Sequence, residues 1–150
     1  MVGIGYDSHR FVAGRRLVLG GVEIEHERGL AGHSDADVLT HAVIDALLGA
    51  TGGGDIGEMF HDDDPAFEDA DSIDLLCTVV GTIAGPIVNI DATLICEQPR
   101  LGPNKAEMER TLAEATSARV SVKATSNEGM GWIGRGEGIA CIAVASVETE

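Results

Sequence analysis

The sequence is poor in basic residues, cysteine and aromatics, and each shortage excludes a class of protein. Ten lysines and arginines stand against 25 aspartates and glutamates, a formal charge of −15. Because non-specific nucleic-acid binding needs a basic face, we expect no nucleic-acid partner. The three cysteines include no C-x-x-C pair, so a disulfide framework is not expected. Aromatics make up 3% of the chain, so the core must be mainly aliphatic.

Long apolar runs are also missing, and none is sufficient to span a bilayer. The first residues have the features of neither a secretory signal nor a transit peptide. We therefore expect no membrane partner and a cytoplasmic location. The 150 residues suit one domain, 1–150, and the hydrophobic fraction of 44% is enough for a core.

Periodicity predicts alternating strands and amphipathic helices. Gly3–His9 is predicted as a strand, and Arg16–Ile24 as a hairpin that turns at Gly20-Gly21. Ser34 is predicted to cap a helix that runs to about Leu48, with an apolar stripe of Val38, Leu39, Ala42, Val43, Ala46 and Leu47. Further predicted elements are a helical turn (Asp55–Phe60), helices (Ser72–Ala84, Pro103–Thr116) and strands (Ile87–Cys96, Val120–Thr125, Ile139–Val147). This order favours an α+β fold. We expect a two-layer α/β domain with a mixed four-stranded β-sheet, helices on one face and a small hairpin.

Three residues have the types and spacing of metal ligands. Asp7 and His9 lie two apart on the first strand, so their side chains leave on one face. His41 lies on the following helix, between Asp37 and Asp45 at spacings of four residues. Two nitrogens and one oxygen suit a zinc ion with an open fourth position. The alternative to a metal site is that Asp7 and His9 are only the polar end of a strand, and that His41 and its flanking aspartates form a solvent-exposed helix face.

Two further segments could bind anions. His33 and Ser34 precede the predicted helix, whose first N–H groups can bind phosphate, although Ser34 could be only a cap. Residues 123–138 are rich in glycine, and such a loop can direct N–H groups at a diphosphate. Within it Ser126 offers a hydroxyl, and Glu128 offers a carboxylate for a cation such as Mg²⁺. A wide hairpin is the alternative structure.

Four segments together resemble one enzyme family. They are Gly3–Phe11, Gly32–Ala50, Gly54–Gly57 and Gly134–Cys141. Their residues, order and spacing are similar to those of the 2-C-methyl-D-erythritol 2,4-cyclodiphosphate synthases of the non-mevalonate isoprenoid pathway. The resemblance covers nearly the whole chain. It implies a lyase that cyclises 4-diphosphocytidyl-2-C-methyl-D-erythritol 2-phosphate and releases CMP. It also implies a homotrimer with active sites at subunit interfaces, one Zn²⁺ per subunit, and Mg²⁺ or Mn²⁺ bound with the substrate.

The resemblance also implies a role for each matching residue. Asp7, His9 and His41 match the zinc ligands, and Glu128 matches the ligand of the magnesium ion. His33 and Ser126 match the groups that stabilise the transition state. The implied contacts with the methylerythritol and its phosphate are Ser34, Asp55, Ile56, Gly57, Phe60, His61, Asp62, Asp63 and Asp64. Those with the cytidine and diphosphate are Cys96, Glu97, Gln98, Pro99, Arg100, Leu101, Thr125, Ser126, Asn127 and Glu128. The other implied substrate contacts are Asp7, Ser8, His9, His33, Trp132 and Arg135.

Two other functions compete with this interpretation. The first is a zinc-dependent phosphohydrolase that uses metal-bound water and would yield an open phosphate rather than a cyclic product. The second is an acidic protein that binds divalent ions without catalysis, suggested by Asp62-Asp63-Asp64. No EF-hand pattern follows those aspartates, which disfavours the second alternative.

Overall fold

A computed structural model describes residues 1–148, which form a mixed sheet packed on one face by helices. The strands are β1 (Val2–Ala13), β2 (Leu17–Leu19), β3 (Val22–Ile24), β4 (Arg28–Leu30), β5 (Ile87–Ile95), β6 (Arg119–Thr125) and β7 (Gly138–Val147). The helices are α1 (Val38–Thr51), α2 (Ile56–Met59), α3 (Ser72–Val80), α4 (Lys105–Thr116) and α5 (Gly131–Gly134). Single 3-10 turns lie at Pro65–Phe67 and Gly102–Asn104.

The sheet in residues 1–148 has five strands in the order β4-β1-β7-β5-β6, and β2 and β3 form a separate hairpin. β5 and β6 are parallel, while the other neighbours are antiparallel. The predicted mixed α+β architecture is confirmed, but the predicted number of four strands is wrong. The additional strand is β4, whose three residues Arg28–Leu30 are too few to give a readable alternation.

Helix α1 is the central element of the core. Its predicted apolar stripe is fully buried, as are Ile44 and Leu48. The expectation that Ser34 caps this helix is wrong, because the cap is Asp37, which accepts from the backbone N–H of Thr40 at 3.0 Å. The same carboxylate accepts from the N–H groups of Gly20 and Gly21 at 2.9 and 2.8 Å. A buried aspartate thus joins the hairpin turn to the helix start, and the predicted anion site at that start is occupied by this carboxylate.

Other boundaries differ from the predictions by a few residues. α3 ends at Val80, with Gly81 after it, rather than at Ala84. The glycine-rich segment, which was predicted as a loop, contains the single helical turn α5. β6 is an edge strand in which Val122 alone is buried. The alternation of apolar and polar residues along it therefore predicts the strand but not the burial of its apolar side chains.

The two faces of the sheet differ in exposure. Helices cover one face, whereas apolar side chains of β1 and β7 stand exposed on the other. Ile4 lies opposite Val144 and Tyr6 lies opposite Ile142 in the antiparallel register. Among residues 1–148, no helix has the length and apolar character needed to cross a membrane.

Candidate active site

Asp7, His9 and His41 meet where β1 lies against α1. The Asp7 Oδ2 atom is 2.7 Å from His9 Nε2 and 3.2 Å from His41 Nδ1. One ligand atom from each residue can be chosen so that all three atoms lie within 4.8 Å of one another. All three residues are half-buried. The predicted strand and helix ligands therefore come together, and they form a site that can hold a metal ion.

The hydrogen bonds of His9 leave one ring nitrogen ready for a cation. Its Nδ1 lies 2.8 Å from the carbonyl oxygen of Ala31, and because a carbonyl only accepts, Nδ1 carries the proton. In the neutral ring, which is the form that binds a metal, Nε2 then holds a lone pair. Within residues 1–148 this buried atom has no well-directed hydrogen-bond partner, although the Asp7 carboxylate lies beside it. A buried lone pair beside a carboxylate fits a bound cation and leaves a polar atom poorly satisfied without one.

The electrostatics of the cluster favour an ionised aspartate. Burial would raise the pKa of Asp7, but the hydrogen bonds and charges of His41 and His9 outweigh it and lower that pKa below its ordinary value. Burial would lower the pKa of His9, but its contact with Asp7 and the charge of that carboxylate raise it above its ordinary value. The carboxylate therefore stays negative and can ligate a cation.

A cavity of about 380 Å³ opens beside the cluster. Most of the residues predicted to contact the methylerythritol and its phosphate line this cavity. Its complete lining is Asp7, His9, Gly32, His33, Ser34, His41, Ile56, Gly57, Phe60, His61, Asp62, Phe67 and Leu75. His33 Nε2 donates to the carbonyl oxygen of Asp64 at 2.9 Å, which orients its ring. Asp63 is exposed on the loop and does not line the cavity.

Two aspartates near this site accept hydrogen bonds from backbone N–H groups. Asp55 caps α2 by accepting from the N–H of Glu58 at 2.9 Å. Asp45 accepts from the N–H of Ile56 at 2.8 Å and so ties α2 to α1. The carboxylates of Asp37 and Asp45 make no hydrogen bond to the His41 ring. Its Nε2 instead lies 2.8 Å from Ser72 Oγ and 3.1 Å from Ser34 Oγ.

A second cavity of about 440 Å³ contains most of the residues predicted to bind cytidine and diphosphate. It is lined by Cys96, Glu97, Gln98, Pro99, Arg100, Leu101, Gly102, Lys105, Ala124, Thr125 and Ser126. A Glu97 Oε1 atom accepts from the N–H of Asn127 at 2.6 Å, and this bond fixes the turn that carries Ser126 and Glu128. The two cavities share no lining residue within this chain.

Two further predicted contacts lie in a third cleft, and Arg135 lies outside its lining. Ser8 and Trp132 line a cavity of about 510 Å³, and His9 also contributes to it. Arg135 pairs with Glu137 at 2.7 Å on the protein surface. Within residues 1–148 these side chains are therefore separate from the cytidine cavity.

Sequence reasoning missed the residues that support the ligands. Ser72 was interpreted only as the start of a helix, and Asp35 was not considered. Arg15 donates to the carbonyl oxygen of Gly32 at 2.6 Å and was not considered either. Their partners lie 17 to 37 positions away in the chain. No local sequence pattern predicts a contact over such a separation.

The scaffold and the His₂Asp cluster beside a cavity define an α+β enzyme domain with a metal-binding centre. The model of the YgbB family matches residues 1–148. A 2-C-methyl-D-erythritol 2,4-cyclodiphosphate synthase of Geotalea uraniireducens (strain Rf4) is 51% identical over 153 aligned positions, which cover 98% of each chain. The chain belongs to the YgbB family.

Solved structures agree with this assignment. The bifunctional IspDF of Campylobacter jejuni superimposes with a TM-score of 0.91 at 40% identity over 96% of this chain, which spans 41% of that longer protein. A 2C-methyl-D-erythritol-2,4-cyclodiphosphate synthase in a CDP-bound form has a TM-score of 0.89 and 30% identity, covering 99% of this chain and 100% of its own. The predicted synthase activity, a lyase reaction of isoprenoid precursor biosynthesis, is confirmed. The phosphohydrolase alternative gains no support from these relatives.

Proposed function

We propose that the chain converts 4-diphosphocytidyl-2-C-methyl-D-erythritol 2-phosphate into 2-C-methyl-D-erythritol 2,4-cyclodiphosphate and CMP. An oxygen of the 2-phosphate attacks the β-phosphorus of the same molecule. A new P–O bond closes the ring, and the bond from that phosphorus to the CMP oxygen breaks. The observation that carries the proposal is the His₂Asp cluster in the wall of a cavity, in a chain of this family.

The donor set supports zinc as the resident metal. Two imidazole nitrogens and one carboxylate oxygen leave the fourth position of a tetrahedral zinc open to a substrate oxygen. When bound, one zinc per subunit would polarise a phosphoryl oxygen as a Lewis acid. Asp7, His9 and His41 would hold it, and the lone pair of His9 Nε2 already faces the carboxylate.

Other side chains would align the two anionic groups. His33 and Ser34 lie in the cavity wall. The hydroxyl of Ser34 can donate to the attacking phosphate, and the His33 ring, held by Asp64, would stabilise the transition state beside it. The hydroxyl of Ser126 can donate to the diphosphate, and Glu128 would bind the Mg²⁺ or Mn²⁺ that enters with it. Holding the nucleophile in line with the leaving group supplies a proximity advantage.

The cytidine would occupy the cavity formed by Cys96–Leu101 and Thr125. The backbone N–H and C=O groups of this cavity can recognise the base, and Arg100 can lie near the ribose and the diphosphate. Ser8 and Trp132 would contact substrate only from the third cleft, which adjoins the metal site at His9. Arg135 would contact it from the surface beside that cleft, where it pairs with Glu137.

We propose a homotrimer with an active site at each subunit interface. The exposed apolar side chains of β1 support it: Val2, Ile4 and Tyr6 have exposed fractions of 69%, 70% and 56%. A contiguous apolar sheet face of this kind is typical of an interface. The separation of the two substrate cavities in one chain also supports it, since a neighbouring subunit can bring them together. A cytoplasmic location stays a prediction.

The direct test is an assay of CMP release from the diphosphocytidyl substrate. We expect CMP only when zinc and magnesium are both present, no CMP after treatment with a chelator, and recovery when both metals are restored. Glu114→Gln, at an exposed position of α4 outside the cavities described, is a control expected to change turnover less than Asp7→Asn. Failure to release CMP from this substrate under any metal condition contradicts the proposal.

A further inference from the structure

We infer that Asp35 and Ser72 form a relay that positions the metal ligand His41 by fixing the tautomer and orientation of its ring. Neither residue was among the predicted substrate or metal contacts. The inference rests on the proposed function in one respect, because it takes Asp7, His9 and His41 as a metal site. Its test measures metal binding directly, so it can fail independently of turnover.

Ser72 lies between the histidine and the aspartate. It is fully buried at the first residue of α3, and its Oγ lies 2.8 Å from Nε2 of His41. The same Oγ contacts Oδ1 of Asp35, and the Ser72 backbone N–H donates to Oδ2 of Asp35 at 2.9 Å. Both oxygens of one carboxylate are thus held by one serine.

The direction of each bond follows from the number of protons available. An ionised carboxylate only accepts, so the hydroxyl proton of Ser72 points to Asp35. The lone pairs of Oγ are then left for His41, which must donate from Nε2–H. With its proton on Nε2, the neutral ring presents the Nδ1 lone pair to Asp7, at 3.2 Å, where the metal would bind. Metal-ligating histidines are commonly oriented by such a partner on the other nitrogen.

Ser34 offers a second contact to the same nitrogen at 3.1 Å. Its Oγ already accepts from the N–H of Ala36 at 3.2 Å, so it can take part of a bifurcated bond from His41. Ser34 also faces the cavity proposed for the substrate phosphate, so its hydroxyl is needed there. The buried Ser72 is the partner whose proton is committed elsewhere, and it therefore sets the tautomer.

The relay also connects the ring to the loop that carries His33. The N–H of Asp35 donates to the carbonyl of Ala70 at 3.1 Å, and the N–H of Asp69 donates to the carbonyl of His33 at 2.8 Å. Residues 33–35 and 69–72 are therefore joined by backbone bonds on both sides of the Asp35–Ser72 contact. A loop movement that breaks this contact would also release the metal ligand.

The test compares zinc affinity in metal-free protein by competition with a chromophoric chelator. We expect Ser72→Ala and Asp35→Asn to weaken zinc binding about 10-fold to 100-fold, the range typical of lost outer partners. Cobalt-substituted protein should show a changed visible spectrum in both variants, since the ligand geometry alters. Two matched controls should bind zinc as the wild type does: Asp71→Asn at the exposed cap of α3, and Thr116→Val, which removes a buried hydroxyl on α4.

Nitrogen NMR of zinc-loaded wild-type protein tests the tautomer without any variant. We expect His41 to carry its proton on Nε2 and to bind zinc through Nδ1. A metal bound through Nε2, or variants that fold and bind zinc with wild-type affinity, would overturn the relay while leaving the proposed function intact. Equal loss in Asp71→Asn would also overturn it, because a general weakening of α3 would then be the cause. A wild-type chain that binds no zinc would overturn both proposals.

Discussion

A Cβ atom on Gly5 would lie 1.9 Å from the carbonyl oxygen of Ala42, so β1 and α1 approach more closely than any side chain allows. Gly3 makes a similar approach one turn further along, where a Cβ would lie 2.0 Å from the carbonyl oxygen of Ala46. Asp7 follows Gly5 by two residues on the same face of the strand, and His41 precedes Ala42. The close approach is therefore what brings the aspartate to the histidine.

Gly5→Ala should push β1 away from α1 and reduce both stability and zinc binding. We expect a loss of about 1–3 kcal/mol or more in the free energy of unfolding, the usual cost of overpacking. Gly81→Ala is the control, because its Cβ would meet neighbouring atoms no closer than 3.4 Å. Denaturant unfolding and zinc titration measure the two effects. A Gly5→Ala protein as stable as Gly81→Ala would contradict the close approach.

Substitutions at the two proposed metal sites should have different effects on zinc content and on the magnesium requirement of turnover. His41→Ala removes a nitrogen ligand and should lose bound zinc and nearly all turnover. Glu128→Gln should keep its zinc but need more magnesium or turn over much more slowly, because a lone carboxylate suits Mg²⁺. Metal analysis of the purified variants and a magnesium titration of turnover check both. If Glu128→Gln loses zinc while His41→Ala retains it, the two sites are assigned wrongly.

Subunit mixing should test the interface site. A chain with His41→Ala and a chain with Ser126→Ala should each be inactive alone. If one subunit supplies the metal and its neighbour supplies Ser126, trimers assembled from an equal mixture should recover about a quarter of wild-type turnover. Mixing two preparations of the same variant is the control. An absence of recovery in mixed trimers, or an active monomer in light scattering, would contradict the proposed arrangement.

The three thiols should differ sharply in reactivity. Burial raises the pKa of Cys96 to about 11, and burial with the nearby charges of Asp37 and Asp7 raises the pKa of Cys141 further. A raised pKa lowers the thiolate fraction at pH 8, so both should react slowly. Cys77 is exposed and should react fast with a disulfide reagent. We expect one fast thiol per folded chain, which Cys77→Ser abolishes, and three after unfolding. Two or more fast thiols in the folded protein would contradict the buried positions.

Much of the fold could be predicted because its elements carry periodic patterns. The alternation from Gly3 to His9 gave the ligand face of β1, and the apolar stripe of α1 was correct at every position named. The short strand β4 could not be predicted, because three residues give no period. The helix cap was misplaced because Ser34 and Asp37 both suit a cap, and only the hairpin turn at Gly20 and Gly21 decides in favour of Asp37.

The ligands were predictable from residue type and spacing, whereas their supports were not. Asp7, His9 and His41 have few alternative chemistries once they share a cavity. Ser72 supports His41 from 31 positions away, through a loop whose course has no local signal. Asp37 and Asp45, which flank His41 in sequence, bind backbone N–H groups instead. Neighbours on a helix face need not act together.

Phosphorus NMR of the product distinguishes cyclisation from hydrolysis of the substrate. The purified protein is incubated with the diphosphocytidyl substrate, zinc and magnesium, and the spectrum is followed as CMP appears. We expect two coupled resonances of a cyclic diphosphate and the single resonance of CMP, with the two products in equal amounts. Resonances of an open phosphate, with no cyclic diphosphate, would instead mean that water attacks the substrate, and would contradict the cyclisation.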